Sequence, residues 1–284
     1  MFSKKIVGLD IADNTIEVVY LKGNSFHTKI LSLARVSLES GIIEKGKIKD
    51  EEKLLTVLKK LFASAKPKKI SDRNIIFGFP DSITYTYIFN LPPHSKRDRK
   101  KLIKEEVVAN IPEAQEDIIY SYRILRQNKE EVEVLVIAVN RNIFYEWIRF
   151  FKKNKFEIQT YAVEALAIFR DLYSVLPKEH VCLVDIGTNS TKINIFDKEG
   201  LQFNYSTMVA GGDISRDLEK GLRKKDKEAE SIKKKQGLTG KNKKVLKIIQ
   251  KRVDEILQEI ENAIKYFEDN SNNKVVEVVL IGGS

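Results

Sequence analysis

The sequence predicts an α/β protein of two lobes, with a small α+β unit inserted after the first. Three observations carry this expectation. A three-stranded β-meander followed by helical and strand segments occurs twice, near the start and again after residue 180. Each meander has an Asp at the tip of its first strand, followed by small and polar residues in the turn. A chain of 284 residues with 42% hydrophobic side chains is long for one core and too apolar for disorder.

The first lobe is placed at 1–82. Its β-rich runs at 4–11, 15–21 and 28–38 are separated by Asp13-Asn14 and Gly23-Asn24, residue pairs that favour turns. Asp50 caps a helix reaching about residue 65, with Leu54, Leu55, Leu58, Leu61 and Phe62 recurring on one face. Asn74 to Phe79 reads as a buried strand, stopped by Pro80.

The insert is placed at 83–160. It comprises a strand over 83–91, a helix over 95–110, strands over 118–126 and 132–139, a helix over 143–153 and a short strand over 156–161. The Lys/Arg-rich run 96–104 reads as a solvated helix face. The second lobe, 161–284, repeats the first: strands over 181–186, 191–196 and 201–208, helices over 213–223, 226–235 and 243–268, and a last strand over 275–281.

Bulk properties narrow the function classes. Cys182 is the one cysteine, so no internal disulfide forms, and its apolar surroundings predict a buried small hydrophobe. No apolar run approaches the roughly 20 residues that span a bilayer, and the N-terminus lacks the regions of a signal peptide. A cytoplasmic protein is expected. The net charge is +10, but the 40 acidic residues read as interspersed among the 50 basic ones, so nucleic acid is not an expected partner.

The two meander turns carry the chemistry. One runs Asp10-Ile11-Ala12-Asp13-Asn14-Thr15 and the other Asp185-Ile186-Gly187-Thr188-Asn189-Ser190-Thr191. A tight strand-turn-strand hairpin aims successive backbone N–H groups at phosphate oxygens, and a carboxylate at the strand end suits hydrated Mg²⁺. Either hairpin alone reads as an ordinary turn; the pair, 175 positions apart at corresponding places, reads as two halves of a phosphate clamp. Gly211-Gly212-Asp213 opens a helix, where paired glycines admit a ligand and a helix N-terminus favours anions. Glu230 and Lys233 share one helix face and are spaced to reach a ribose or base edge. Gly282-Gly283-Ser284 ends an apolar strand.

In this order, these elements resemble the actin, sugar-kinase and DnaK-type chaperone superfamily, whose members bind ATP between two ribonuclease-H-like lobes. Within it the insert resembles that of the PilM family of type IV pilus assembly proteins. The features that carry this are Asn90-Leu91-Pro92-Pro93, the acidic pair Glu105-Glu106 in a helix ending at Ile111-Pro112, and the apolar strand Val134 to Val139. The resemblance implies an actin-like fold with duplicated ribonuclease-H-like domains. It also implies ATP with Mg²⁺, and at most slow ATP hydrolysis.

Carried over residue by residue, Asp10 and Asp185 match the Mg²⁺-associated carboxylates. Ala12, Asp13 and Asn14 match the first phosphate turn, and Gly187, Thr188 and Asn189 the second. Gly211, Gly212, Glu230 and Lys233 match ribose or base contacts, and Gly282, Gly283 and Ser284 the adenosine motif. Glu164 falls where relatives place either a water-orienting acid or a plain helix residue. The implied partner is the N-terminal cytoplasmic tail of a PilN-like inner-membrane protein, so membrane association runs through that partner at the inner face of the inner membrane. Self-association and a part in twitching motility belong to the same reading. An FtsA-like filament protein, a GspL-like secretion platform without ATP chemistry and a small-molecule kinase with Asp81 as base are the alternatives.

Two departures from the family bear on affinity. Relatives read Asp-Ile-Gly in the first hairpin and carry a lysine seven residues after the Asp; here those positions are Ala12 and Glu17. Ala12 is expected to crowd the phosphate and to strain any positive φ the turn needs. Glu17 either faces the nucleotide and repels it or faces solvent and does nothing. Relatives also continue past the position of Ser284, so the full protein is expected to extend further and to cover apolar surface of the second lobe.

Overall fold

The computed structural model describes residues 4–23, 27–80, 83–93, 95–111, 117–172 and 179–283. The chain divides into two compact units, Met1–Asp171 and Leu172–Ser284. In the first, β1 (Lys4–Ile11), β2 (Thr15–Gly23) and β3 (Thr28–Ser37) form the expected antiparallel meander. A two-residue hairpin that the sequence reading did not anticipate follows, β4 (Ile43–Glu44) and β5 (Lys47–Ile48). Helix α1 (Glu51–Ser64) starts where expected: the Asp50 carboxylate accepts the Lys53 N–H at 2.9 Å, and Glu51 and Glu52 suit the positive end of the helix dipole. Its Leu54, Leu58, Leu61 and Phe62 are buried against the sheet.

Strand β6 (Asn74–Phe79) pairs parallel to β1. The chain then leaves this sheet for β7 (Thr84–Leu91), α2 (Arg99–Asn110), β8 (Ile118–Gln127) and β9 (Val132–Asn140). These strands form a separate antiparallel sheet of order β7-β9-β8 with its own core, in which Ile103 and Val107 of α2 pack on Phe89, Leu91, Val134 and Val136.

The insert ends at Asn140, which corrects the boundary read at 160. Helix α3 (Arg141–Lys153) buries Trp147, Phe150 and Phe151 in the core of the first sheet, and β10 (Glu157–Val163) pairs parallel to β6. The first sheet is therefore five-stranded, β10-β6-β1-β2-β3. Trp147 also donates its indole N–H to the Gly46 carbonyl at 3.0 Å, which fixes the β4–β5 turn against α3. Helix α4 (Glu164–Leu172) follows directly, so the second compact unit starts at Leu172 rather than 161.

The second unit repeats the plan. Strands β11 (His180–Ile186), β12 (Thr191–Asp197) and β13 (Gly200–Thr207) form a meander, followed by α5 (Gly211–Leu222), α6 (Asp226–Gln236) and a short 3₁₀ turn at Gly237–Thr239. Helix α7 (Lys243–Ser271) leads to β14 (Val275–Gly282), which pairs parallel to β11 in a sheet of order β13-β12-β11-β14. Cys182, Val184, Ile193 and Ile195 pack under Ile256, Ile260, Ala263 and Phe267 of α7. Burial pushes the Cys182 thiol up to about 12, the inert small hydrophobe that the sequence predicts. A smaller core of Ile214, Leu218, Ala229, Val245 and Ile249 joins α5, α6 and the start of α7. Among the described residues no helix is long and apolar enough to cross a membrane.

Candidate functional site

The two meander hairpins have the same construction. In the first, Ile11 pairs with Ile16 and the Ala12 N–H donates to the Thr15 carbonyl at 2.9 Å. In the second, Ile186 pairs with Thr191 and the Gly187 N–H donates to the Ser190 carbonyl at 3.0 Å. The amides of Ala12 and Gly187 thus close their own turns. Among the described residues Ala12 is not one of the positive-φ positions, so its methyl imposes no backbone strain, contrary to the sequence-based expectation.

Asp13 has a structural task as well. Its two carboxylate oxygens accept the N–H groups of Lys45 and Gly46, each at 2.9 Å, and so hold the β4–β5 turn, where both residues have positive φ. This side chain is therefore committed to its own lobe.

The paired glycines also differ from their expected role. Helix α5 begins at Gly211 rather than Asp213, and its first two amides already have partners. Gly211 N–H donates to the Gly187 carbonyl and Gly212 N–H to the Thr188 carbonyl, each at 3.0 Å. A Cβ on Gly212 would overlap that Thr188 carbonyl. The glycines thus admit the backbone of the second hairpin, which docks the turn onto the helix end. Asp213 completes the junction by accepting the Ala210 N–H at 2.9 Å. Burial opposes its charge, but the Ala210 amide and Arg216 outweigh it and hold the carboxyl below its usual range.

Glu230 and Lys233 meet as their spacing predicts. Lys233 Nζ lies 2.9 Å from Glu230 Oε2 and donates to the Gly211 carbonyl at 3.2 Å, tying α6 to the same helix end. The Ser215 hydroxyl, a participant the sequence reading missed, donates to Glu230 at 2.5 Å. Burial works against the Glu230 carboxylate; Ser215, Lys233 and Lys234 overcome it and keep the group ionised. On the other side of the hairpin, Ile281 pairs with Asp185 and Gly282 with Ile186. Gly282 has φ +114°, and a Cβ there would collide with the Ile186 carbonyl and approach Asp185 Oδ1 at 2.8 Å. Exposed Gly283 follows, and Ser284 lies outside the described residues, as does Asp81.

One connected set therefore forms in the second unit: Asp185, the turn Gly187 to Asn189, the Gly211-Gly212 helix end, Glu230 with Lys233, and Gly282. Asp10, Ala12, Asp13, Asn14 and Glu164 belong to the first unit. There Asp10 lies opposite Gly78 on β6, and Glu164 is the first residue of α4. Among the described residues no group of three or more His, Cys, Asp or Glu side chains could hold a metal ion unaided.

The position seven residues after each Asp distinguishes the hairpins. Asp185 pairs across the strands with Lys192, whose Nζ is 3.9 Å from its carboxylate; Asp10 pairs with Glu17. Directly opposite residues of antiparallel strands share a face, so Glu17 lies on the Asp10 side of the sheet. It is 46% exposed and bonded to Arg35 at 3.0 Å, the cross-strand neighbour on β3. Arg35 is its partner there, in a pair that solvent screens. Glu17→Lys would recreate the Asp–Lys pairing of the second unit, with a stability change under about 1 kcal/mol for so exposed a pair. If Asp10 serves a nucleotide, calorimetry of this variant should show ATP binding tightened by roughly fivefold at low ionic strength, the gain shrinking with salt. Unchanged affinity at both salts leaves Glu17 as a surface partner of Arg35.

The family model for the type IV pilus assembly protein PilM matches residues 8–284. The chain belongs to the PilM family of type IV pilus assembly proteins. Among solved structures, one described as a PilM-PilN type IV pilus biogenesis complex matches with a TM-score of 0.83 at 17% identity, over 98% of this chain and 81% of that one. The ethanolamine utilization protein EutJ from Carboxydothermus hydrogenoformans gives 0.61 at 16% identity, over 99% and 76%. MreB5 of Spiroplasma citri, bound to AMPPNP, gives 0.53 at 13% identity, over 99% and 85%. Identities this low show the fold alone, and that fold is the actin-like ATPase fold. No curated protein sequence matches the chain.

Proposed function

We propose that this chain is an ATP-binding scaffold of type IV pilus assembly with at most slow ATP hydrolysis. It works at the cytoplasmic face of the inner membrane, recruited by the N-terminal cytoplasmic tail of a PilN-like membrane protein. The observation that carries the nucleotide reading is the connected set in the second unit, which brings Asp185, the Gly187 to Asn189 turn, the start of α5, Lys233 and Gly282 together. In this reading the amides of Thr188 and Asn189 face phosphate, and the amides of Asp13 and Asn14 form a phosphate turn of the same kind. Asp185 and Asp10 hold water of the Mg²⁺ shell, while Glu230 and Lys233 take the ribose or base edge. Gly282, Gly283 and Ser284 serve as the adenosine motif, and Glu164 positions water. Bound ATP would supply the phosphate oxygens that complete the metal shell, since the described side chains offer no cluster that binds the ion alone.

Calorimetry with ATP tests this. Binding is expected with Mg²⁺ and lost with EDTA. Asp185→Ala should weaken it by at least about tenfold, or ~1.4 kcal/mol, and Glu164→Ala by less than about twofold, because a water-positioning acid acts mainly on hydrolysis. No binding at millimolar ATP, with peptide capture intact, would move the chain to a platform role without nucleotide chemistry.

Family membership and the likeness to a PilM-PilN complex support the partner. A pull-down with the first dozen or so residues of the PilN-like protein is expected to capture the chain. Replacing residues 84–140 by a short Gly-Ser link should abolish capture. Thr84 and Val139 are register partners, so the link is short, and α3 keeps its place in the core. A folded deletion protein that still captures the peptide puts the site elsewhere.

A further inference from the structure

The positive charge of this chain is concentrated in one segment. Between Lys220 and Arg252 lie fourteen of the 50 Lys and Arg residues but three of the 40 Asp and Glu residues, a net of +11; the remaining residues together carry −1. The two signs are thus not evenly interspersed, contrary to the expectation from composition: the basic excess lies in this segment. In the fold this segment is the end of α5, α6, the 3₁₀ turn and the start of α7, packed around the small core of Ile214, Leu218, Ala229, Val245 and Ile249.

Two of the fourteen cations are half-buried and committed internally, Lys233 to Glu230 and Arg252 to Asp217 and Glu255. The other twelve are exposed. Lys224 and Lys234 have carboxylate partners, Glu228 and Glu230. The other ten form no ion pair among the described residues. On α7, Lys243, Lys247 and Lys251 recur at four-residue spacing on an exposed stripe, away from the buried Val245 and Ile249. Lys243 and Lys244 stand in the first turn of that helix, where the dipole disfavours cations. Fold stability does not account for them.

The composition selects among polyanions. No aromatic residue lies between Lys220 and Arg252, so there is no stacking platform for bases. Twelve of the fourteen cations are lysines, mobile point charges rather than the planar forks that read phosphate geometry. Leu238, in the 3₁₀ turn among these lysines, is 47% exposed. Dense lysine with an exposed apolar tip suits a surface of mobile anionic headgroups. We propose that this face of the second unit binds the anionic surface of a phospholipid bilayer directly. It requires neither nucleotide nor peptide, so it stands or fails apart from the function proposed above.

Vesicle co-sedimentation of the full chain tests it, with phosphatidylcholine alone and with about one-third phosphatidylglycerol. Binding is expected to the anionic vesicles only, and to fall at least tenfold between roughly 0.1 and 0.5 M salt as screening shortens. The quadruple variant K243Q/K244Q/K247Q/K251Q should lose at least tenfold, with circular dichroism and ATP affinity unchanged. A control, K96Q/K100Q/K101Q/K104Q in the insert, should stay within about twofold. Absence of anionic-vesicle binding at low salt, or an equal loss in the control, overturns the proposal. So does binding of a short DNA duplex without vesicle binding, which would assign the face to nucleic acid.

Discussion

Replacing Trp147 by alanine is expected to destabilise the first unit by about 3–5 kcal/mol, the range for truncating a fully buried large aromatic. The side chain is 0% exposed and packs on Phe77 and Phe151 with ring centroids at 4.9 and 5.8 Å. Truncation opens a cavity that these rings, themselves held by other contacts, fill only in part. It also removes the indole N–H from the buried Gly46 carbonyl, an unmet acceptor that adds roughly 1–3 kcal/mol unless water enters. Trp147→Phe weighs the two contributions, because it removes the indole N–H and only part of the buried volume; its loss should be about 1–2 kcal/mol, well below that of alanine. Urea unfolding followed by circular dichroism is the measurement, since the chain has a single tryptophan. The result also bears on architecture. A loss below about 1 kcal/mol would contradict the placement of α3 in the first core.

The second large effect is expected from Gly212→Ala. The new methyl would overlap the Thr188 carbonyl that accepts the Gly212 N–H, and would also lie 3.2 Å from Thr188 Cγ2. Backbone cannot swing aside as a side chain does, so either α5 or the second hairpin must shift. The loss should be about 1–3 kcal/mol in stability. If that hairpin serves nucleotide, ATP affinity should fall at least tenfold, or ~1.4 kcal/mol. Gly221→Ala is the control within the same helix. Its Cβ meets the Cδ1 end of Ile248 at 2.7 Å, a flexible tip that rotates away, and alanine favours the helix by about 0.5–1 kcal/mol. Equal effects of the two substitutions on stability and ATP binding would refute the docking role of Gly212.

Much of this molecule is legible in its sequence. Both meanders, α1 with its Asp50 cap, and the long helix ahead of the last strand follow from periodicity and turn residues, which act over a few positions. The correspondence of the two Asp-led turns was legible too, because a duplicated fold places equivalent residues at equivalent steps. Applying the seven-residue spacing to the second hairpin would also have found Lys192. The lysine concentration needed only a count by segment.

Other features were not legible. Strand β10 reads like any short strand, and nothing within it says that it pairs with β6, over 80 positions earlier, rather than with the insert. The glycines of α5 read as room for a ligand until the fold brought the Gly187 and Thr188 carbonyls to their amides. Glu17 could face either way until strand register set it between Asp10 and Arg35. The sequence by itself determined most of the elements, though not the short β4–β5 hairpin, together with the repeat and the residue types at each turn. Tertiary structure alone decided which sheet claimed β10, which carbonyls met the glycine amides and which cation met Glu17. The physical reason is range: propensity, capping and hydrophobic period are set by neighbours along the chain, whereas hydrogen-bond partners and ion pairs depend on segments that meet only when the core closes.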